Sequence, residues 1–190
     1  MRIISGTAGG RTLFAPQGLE TRPTSDKIRG SMFNIIGSRV IDARVLDLFG
    51  GTGALALEAL SRGAAFAVIA DNARQAMQAI ERNARNVLKD DFDRRVKLLR
   101  ADYRAAIERC GGKFDLLFLD PPYRLTDAYG DALSRLMQNN ALTPDCLIVL
   151  ERRASADLHL PEGFETFDTR HYGETAVDFV RVLTACHIQA

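Results

Sequence analysis

The segment Asp120–Tyr123 reads Asp-Pro-Pro-Tyr and directly follows an apolar run. The exocyclic amine of a nucleic-acid base is a poor nucleophile because its lone pair is delocalised into the ring, so it needs acceptors for its N–H groups. Asp120 offers a carboxylate, and Pro121 offers a carbonyl on a backbone that its ring restrains. Pro122 stiffens the turn, and Tyr123 offers a flat face for a base taken out of its helix. The tetrad therefore predicts chemistry on a base amine.

A glycine-rich turn, Gly50–Gly53, follows the apolar run Val45–Phe49. Because glycine has no Cβ, the backbone of such a turn can approach a ligand closely. The segment Gly51–Ala56 also satisfies the dinucleotide pattern G-x-G-x-x-A. Taken alone, the turn is therefore compatible with a nicotinamide cofactor, with another nucleoside-containing cofactor or with a plain strand-to-helix connection.

Acidic residues stand at the ends of four predicted strands. Asp71 ends the second strand, 18 residues after Gly53, where a carboxylate can accept both ribose hydroxyls or simply face solvent. Asp102 ends the third strand, where it can accept from an adenine amine or cap the next helix. The first strand ends in the segment Asp47–Gly53, and the fourth ends at Asp120. In a parallel sheet these ends share one edge, which predicts a ligand cleft there.

Apolar runs alternate with helix-periodic segments from Val45 onward, which predicts an α/β fold with a mostly parallel sheet covered on both faces. The predicted strands are Val45–Phe49, Phe66–Asp71, Val96–Leu99, Phe114–Leu119 and Leu147–Leu150. Two further stretches, Phe164–Tyr172 and Ala176–Leu183, are separated by three residues. So short a connection predicts a C-terminal antiparallel hairpin.

Residues 1–40 carry six basic and two acidic side chains, a net +4, which leaves −3 for the other 150 residues. The glycine-rich beginning predicts an irregular or hairpin arm. A helix is predicted to start near Pro23–Asp26, capped by Thr24 or Ser25. Its apolar stripe would leave Lys27 and Arg29 exposed. We expect 1–40 to be a basic arm and helix within the same domain as 41–190.

The net charge, the length of the apolar runs and the cysteine count exclude several classes of protein. The net charge is +1, so the chain is not a bulk polycation. No apolar run approaches the roughly 20 residues of a membrane span, and the start does not suit a signal peptide. Cys110, Cys146 and Cys186 are odd in number and far apart, which favours neither disulfides nor a zinc site. We expect a cytoplasmic protein with no bound metal; a monomer is favoured, although the oligomeric state stays open.

These motifs together resemble a known family. Asp120–Tyr123 looks like the amino-methyltransferase motif, and Leu46–Ala54 resembles the first motif that binds S-adenosylmethionine. Three further segments, Met1–Gly6, Thr21–Arg29 and Met32–Ile36, are similar to one narrower group, as is the ending Tyr172–Thr175. That group is the bacterial RsmD-type family, which methylates the N2 amine of a guanine in 16S ribosomal RNA. The resemblance extends nearly from end to end.

The resemblance implies a class I methyltransferase fold, Rossmann-like, and S-adenosylmethionine as cofactor with S-adenosylhomocysteine as product. The residues it implies for the cofactor are Asp47, Phe49, Gly50, Gly51, Gly53, Asp71, Asn72, Asp102 and Tyr103. The catalytic residues would be Asp120, Pro121, Pro122 and Tyr123. The expected partner is 16S RNA within small-subunit particles. The residues expected to bind it are Arg2, Arg11, Arg22, Thr24, Lys27 and Arg29.

Three alternatives remain open at this stage. The tetrad also permits methylation of adenine N6 or of another base amine in DNA or RNA. A nicotinamide oxidoreductase would use the Gly51 turn but would also need a catalytic donor or base. A non-catalytic RNA-binding module would leave the intact Asp120 tetrad without a purpose.

Overall fold

The computed structural model describes residues 1–15, 26–122, 124–125 and 127–183. Its strands are β1 (Arg44–Asp47), β2 (Phe66–Asp71), β3 (Val96–Arg100), β4 (Phe114–Leu119), β5 (Leu142–Arg153), β6 (Phe164–Tyr172) and β7 (Thr175–Val182). Its α-helices are α1 (Asp26–Ile36), α2 (Ala54–Ser61), α3 (Arg74–Leu88), α4 (Phe92–Arg95), α5 (Tyr103–Cys110) and α6 (Ala128–Gln138). Short 3₁₀ helices lie at Gly37–Val40 and Lys89–Asp91.

The seven strands form one sheet in the order β3-β2-β1-β4-β5-β7-β6. Strands β1 to β5 are parallel, whereas β7 is antiparallel to both β5 and β6. The predicted mostly parallel sheet and C-terminal hairpin are therefore confirmed. The strand order reverses at β1 and β4, and this switch point is where open α/β sheets bind ligands.

The sheet separates two apolar layers because its central strands are buried on both faces. One layer packs the N-terminal arm and the helices α1 to α3 against the sheet, and the other packs α5 and α6 against the opposite face. Among the described residues, no helix combines the length and apolar character that crossing a bilayer requires.

The arm, residues 1–15, forms a small hairpin joined by an antiparallel bridge between Arg2 and Thr12. Ile3 and Leu13 are buried in the layer beneath it. The arm is tied to α2 because the buried Glu58 carboxylate accepts from the backbone N–H groups of Ile4 (2.7 Å) and Ser5 (3.1 Å).

Two expectations for this region need correction. In α1 the buried residues are Arg29, Met32, Phe33 and Ile36, so Arg29 lies on the buried face and not away from it. Burial of the Arg29 guanidinium is possible because acids surround it: its Nη2 lies 3.0 Å from Asp26, and its Nε lies 3.9 Å from Glu58. The predicted caps Thr24 and Ser25 lie outside the described residues.

Strand β5 is also longer than predicted, extending to Arg153 instead of ending at Leu150. The extension exists because β7 continues the pairing, with Glu151 opposite Val177 and Arg153 opposite Thr175.

Candidate active site

A cleft of about 780 Å³ opens at the carboxyl edge of the parallel strands, within the size range of small-molecule sites. Most of its lining comes from the carboxyl ends of β1 to β5 and from the segments that follow them. The predicted site residues among its lining are Asp47, Phe49, Gly50, Gly51, Asp71, Asn72, Asp102, Tyr103, Asp120, Pro121, Pro122 and Arg29. The sheet thus brings segments that are widely separated in sequence together at one cleft.

The glycine turn requires residues without a Cβ for its packing as well as for ligand access. A Cβ on Gly50 would lie 2.6 Å from the Ile69 side chain, so the turn fits against β2 only without one. Gly53 adopts a φ of 80° and precedes α2, a conformation that favours glycine. Gly53 is absent from the cleft lining, so its contribution is to the shape of the turn.

Asp71 connects the end of β2 to the glycine turn. Its Oδ2 accepts from the Gly51 backbone N–H at 2.9 Å, and its Oδ1 accepts from the Ala73 N–H at 2.9 Å. An ionised carboxylate has about four lone-pair positions, so each oxygen retains one for another donor. Asp71 can therefore fix the turn and still accept the two hydroxyls of a ribose.

Asp102 and Tyr103 form the far wall of the cleft. The helix-capping alternative for Asp102 is confirmed, since its Oδ1 accepts from the N–H groups of Arg104 (2.9 Å) and Ala105 (3.0 Å). The Tyr103 ring lies 5.6 Å from the Phe49 ring, and its hydroxyl donates to Asp131 at 2.6 Å. The two rings present an apolar wall suited to the face of an adenine.

Three carboxyl groups, those of Asp47, Asp120 and Glu151, occupy the deep part of the cleft. Burial, with a smaller contribution from the nearby Asp71 charge, raises the pKa of Asp47 to about 7, while the N–H donors of Phe49 and Ala56 act to lower it. Burial, Glu151 and Asp47 raise the pKa of Asp120 well above its ordinary value. This concentration of acid favours a cationic ligand, because a cation offsets the mutual repulsion of the carboxylates.

The turn after Asp120 closes on its second proline. The Pro122 carbonyl accepts from the Leu125 N–H at 2.8 Å, so this carbonyl is used within the turn. Pro121 is buried whereas Pro122 is exposed. Both prolines line the cleft beside Asp120, and Tyr123 lies outside the described residues.

The residues expected to contact RNA are placed differently from one another. Arg2 is 68% exposed and lies 3.6 Å from Asp26, and Lys27 is exposed. Arg11 donates to the backbone carbonyls of Asn86 and Val87 near the end of α3. Arg29 is fully buried, so its expected exposure to an RNA phosphate is wrong. Arg22 and Thr24 lie outside the described residues.

Sequence reasoning missed several cleft residues, of which Glu151 carries the most chemistry. It is 5% exposed and lines the cleft at the end of the β4–β5 pairing, where Leu119 lies opposite Leu150. No local pattern reveals this position, because the charged end of β5 stays in the sheet through its pairing with β7. The other lining residues not predicted are Met1, Leu48, Thr52, Ala54, Leu55, Ala73, Ala101, Arg104, Arg124 and Leu125.

Comparison with known proteins bears on this site. Residues 1–181 match the family model described as Conserved hypothetical protein 95. Ribosomal RNA small subunit methyltransferase D of Escherichia coli is 32% identical over 151 residues, covering 80% of this chain and 74% of the relative. The chain belongs to the RsmD family.

Two solved structures share the fold of this chain. A solved structure of yhhF from Escherichia coli, described as a candidate methyltransferase, has a TM-score of 0.84 and 29% identity, covering 96% of this chain and 97% of that one. TrmN from Thermus thermophilus superposes with a TM-score of 0.66 at 25% identity, over 82% of this chain and 48% of that one. The class I methyltransferase fold expected from the resemblance is thereby confirmed.

The cleft fits the cofactor of RsmD family methyltransferases by the chemistry of its own side chains. The oxygens of Asp71 suit a ribose diol, the rings of Phe49 and Tyr103 suit an adenine, and the acidic floor at Asp47 suits a cationic methionine moiety. Among the described residues, no group of three or more potential metal-ligating side chains forms a metal site.

Proposed function

We propose that the chain transfers a methyl group from S-adenosylmethionine to the N2 amine of a guanine in 16S ribosomal RNA of the small subunit. The observation that carries the proposal is the placement of the Asp120–Pro122 turn in the same cleft as Asp47, Asp71 and Tyr103. A base amine seated at the turn would lie beside a cofactor held by the other three. The naming of the Escherichia coli relative as a ribosomal RNA small subunit methyltransferase supports the substrate class.

The cofactor's role is to supply a methyl group that is already activated by its attachment to a positively charged sulfur. Asp71 would hold the ribose, with Asn72 beside it, while Asp102, Tyr103 and Phe49 would surround the adenine. Asp47 and the Gly50–Gly51 backbone would face the methionine end. No metal has a part in this proposal, and most of the rate would come from positioning and desolvation.

Asp120 would accept one N–H of the target amine, and the Pro121 carbonyl would accept the other. Both bonds push electron density onto the nitrogen and orient its lone pair toward the methyl group. Asp120 in its ionised form would also take up the proton that the amine releases on methylation. Tyr123 would stack on the extruded guanine.

The exposed cations Arg2 of the arm and Lys27 of α1 would meet RNA phosphates. Arg22 and Thr24, from the segment between them, would do the same. Arg11, which already donates to the end of α3, would act there through its remaining donors. The reaction would take place in the cytoplasm, where ribosomal subunits are assembled.

The direct test is methyl transfer from labelled S-adenosylmethionine to ribosomal RNA, followed by digestion and nucleoside analysis. We expect N2-methylguanosine from the wild type. Asp120→Ala should lower kcat at least about 100-fold, because it removes an acceptor from the reacting amine, while cofactor affinity is retained. Asp145→Ala is the matched control, since Asp145 is an exposed aspartate on β5 outside the cleft.

Three outcomes would contradict the proposal. N6-methyladenosine as the product would favour the alternative, an adenine amino-methyltransferase, and wild-type turnover by Asp120→Ala would remove the tetrad from the chemistry. Binding of NAD in place of S-adenosylmethionine would instead favour an oxidoreductase.

A further inference from the structure

Glu151 and Asp120 line the cleft from adjacent strand ends. Leu119 and Leu150 are opposite each other in the parallel β4–β5 ladder; Asp120 directly follows β4, and Glu151 is the next residue of β5. Neighbouring strands are about 4.8 Å apart, so the two residues approach each other from adjacent strands. Both line the cleft, and Glu151 is buried.

The backbone at Glu151 is held firmly. The Glu151 carbonyl accepts from the hydroxyl of the buried Tyr129 at 2.6 Å, and Glu151 pairs with Val177 of β7. The neighbouring cation, Arg152, donates from Nε to Asp178 at 2.6 Å and from Nη1 to the Ala156 carbonyl at 2.6 Å. The guanidinium of Arg152 is thus engaged with Asp178.

Among the bases that carry an exocyclic amine, only guanine presents two adjacent N–H donors to a pair of carboxylates. Guanine carries an N1–H donor directly beside its N2 amine. Adenine and cytosine instead carry a ring nitrogen lone pair beside their amines, and a carboxylate facing that lone pair would be repelled. A site built around a hydrogen bond to a donor discriminates strongly against an analogue that lacks it.

We propose that Glu151 selects guanine by accepting the N1–H while Asp120 accepts from the N2 amine. This inference rests on the proposed function and assigns its base specificity to one residue. The same hydrogen bond shifts electron density from N1 into the ring, which makes the N2 amine a better nucleophile. The Asp-Pro-Pro-Tyr tetrad is indifferent to which base carries the amine, so Glu151 supplies what the tetrad lacks.

The test uses RNA in which the mapped target guanosine is replaced by 2,6-diaminopurine riboside. This base retains the N2 amine but has a lone pair at N1. We expect wild-type kcat/KM to fall at least about 100-fold on the substituted RNA. The quantity compared is the ratio of kcat/KM on guanosine RNA to kcat/KM on the substituted RNA. In Glu151→Gln this ratio should be at least tenfold smaller than in the wild type, because the amide can turn its NH₂ toward the lone pair. Affinities of both RNAs for each protein, measured by fluorescence anisotropy without cofactor, should show the same narrowing even if the variant is slow.

Glu165→Gln is the matched control, since Glu165 is a 47% exposed glutamate on β6 that pairs with Arg181; it should keep the wild-type ratio. An unchanged ratio in Glu151→Gln, in both rate and affinity, would overturn the inference. Weakened S-adenosylmethionine binding with an unchanged ratio would overturn it too and assign Glu151 to the cofactor. The proposed function fails separately, in the case where wild-type protein makes no N2-methylguanosine on unsubstituted RNA.

Discussion

Asp71 illustrates how one side chain serves both structure and binding. Because its two oxygens hold the N–H groups of Gly51 and Ala73, Asp71→Ala should loosen the glycine turn and remove the ribose acceptor together. Hydrogen bonds to charged groups contribute about 1.5–3 kcal/mol, so S-adenosylmethionine affinity should fall tenfold or more by calorimetry. Asp93→Ala, at an exposed aspartate of α4, is the control. An unchanged affinity in Asp71→Ala would place the ribose elsewhere.

Asp47 should make stability depend on pH. Its pKa is raised from 3.8 to about 7 in the folded chain by burial. Between these values the folded state holds a proton that the unfolded state has released, so the free energy of unfolding contributed by Asp47 falls as pH rises. The slope approaches about 1.4 kcal/mol per pH unit within that window.

Asp47→Asn removes this titration. Relative to the wild type, the variant should therefore gain stability from pH 5 to pH 8 in urea unfolding experiments. Parallel stability profiles for the two proteins would contradict a raised Asp47 pKa. S-adenosylmethionine binding to the wild type should release protons near neutral pH, since a bound cation favours the ionised carboxylate.

Residue-scale prediction from sequence succeeded where a side chain follows a strand end. The acids Asp47, Asp71, Asp102 and Asp120 all reach the cleft because strand direction alone fixes which edge they share. It failed at Arg29, since a lone arginine in a helix pattern indicates an exposed position. Its burial depends on Glu58, an acid far along the chain whose own burial no local pattern reveals.

At the scale of elements, the arm and α2 are joined through the buried Glu58. Its carboxylate accepts from Ile4, Ser5 and the Nε of Arg62, the last at 2.7 Å, and it lies beside the buried Arg29. Glu58→Gln would leave Arg29 without this countercharge. Breaking a buried ion pair costs about 3–5 kcal/mol, so we expect a loss of that order in the free energy of unfolding, with faster proteolysis of the arm.

The control for this change lies on α3. Glu81 pairs with Arg85 at the same i, i+4 spacing, but its side chain is 50% exposed. Exposed pairs of this kind contribute at most about 1 kcal/mol, so Glu81→Gln should cost little. Equal losses for the two variants would show that burial at Glu58 is not what stabilises the arm.

The elements themselves were largely predictable because apolar runs and helical periodicity depend on local sequence. Strand β4 has the predicted bounds, and α5 begins at the predicted cap Asp102. Strand β5 was predicted too short because its final residues are charged; they remain in the sheet only because β7 pairs with them. That pairing is non-local, and with it the position of Glu151 escaped prediction.

At the scale of the whole molecule, the charge is unevenly divided. The chain has a net charge of +1, but the first 40 residues carry +4, and the deep cleft is lined by acids. Phosphates are therefore attracted to the first 40 residues and repelled from the acids of the cleft. This arrangement favours an RNA that docks its backbone at the arm and inserts only a base.

The form of RNA that serves as substrate follows from this division. Within the described residues, the strands and helices belong to one sheet and its covering layers, so discrimination would come from the cleft and from the shape around the target base. RNA is read mainly through unstacked bases, and a folded small-subunit particle presents such a base in one fixed pose. Ribosomal proteins in the particle can add contacts beyond those of the arm.

We therefore expect assembled or partly assembled small subunits to be better substrates than protein-free 16S RNA. The measurement is kcat/KM on both at the same salt concentration, because phosphate contacts make RNA affinity strongly salt-dependent. The preference should lie mainly in KM, since the Asp120 turn acts on the amine identically once the base is seated. Equal values, or a preference for protein-free RNA, would show that the arm and the cleft recognise the RNA unaided.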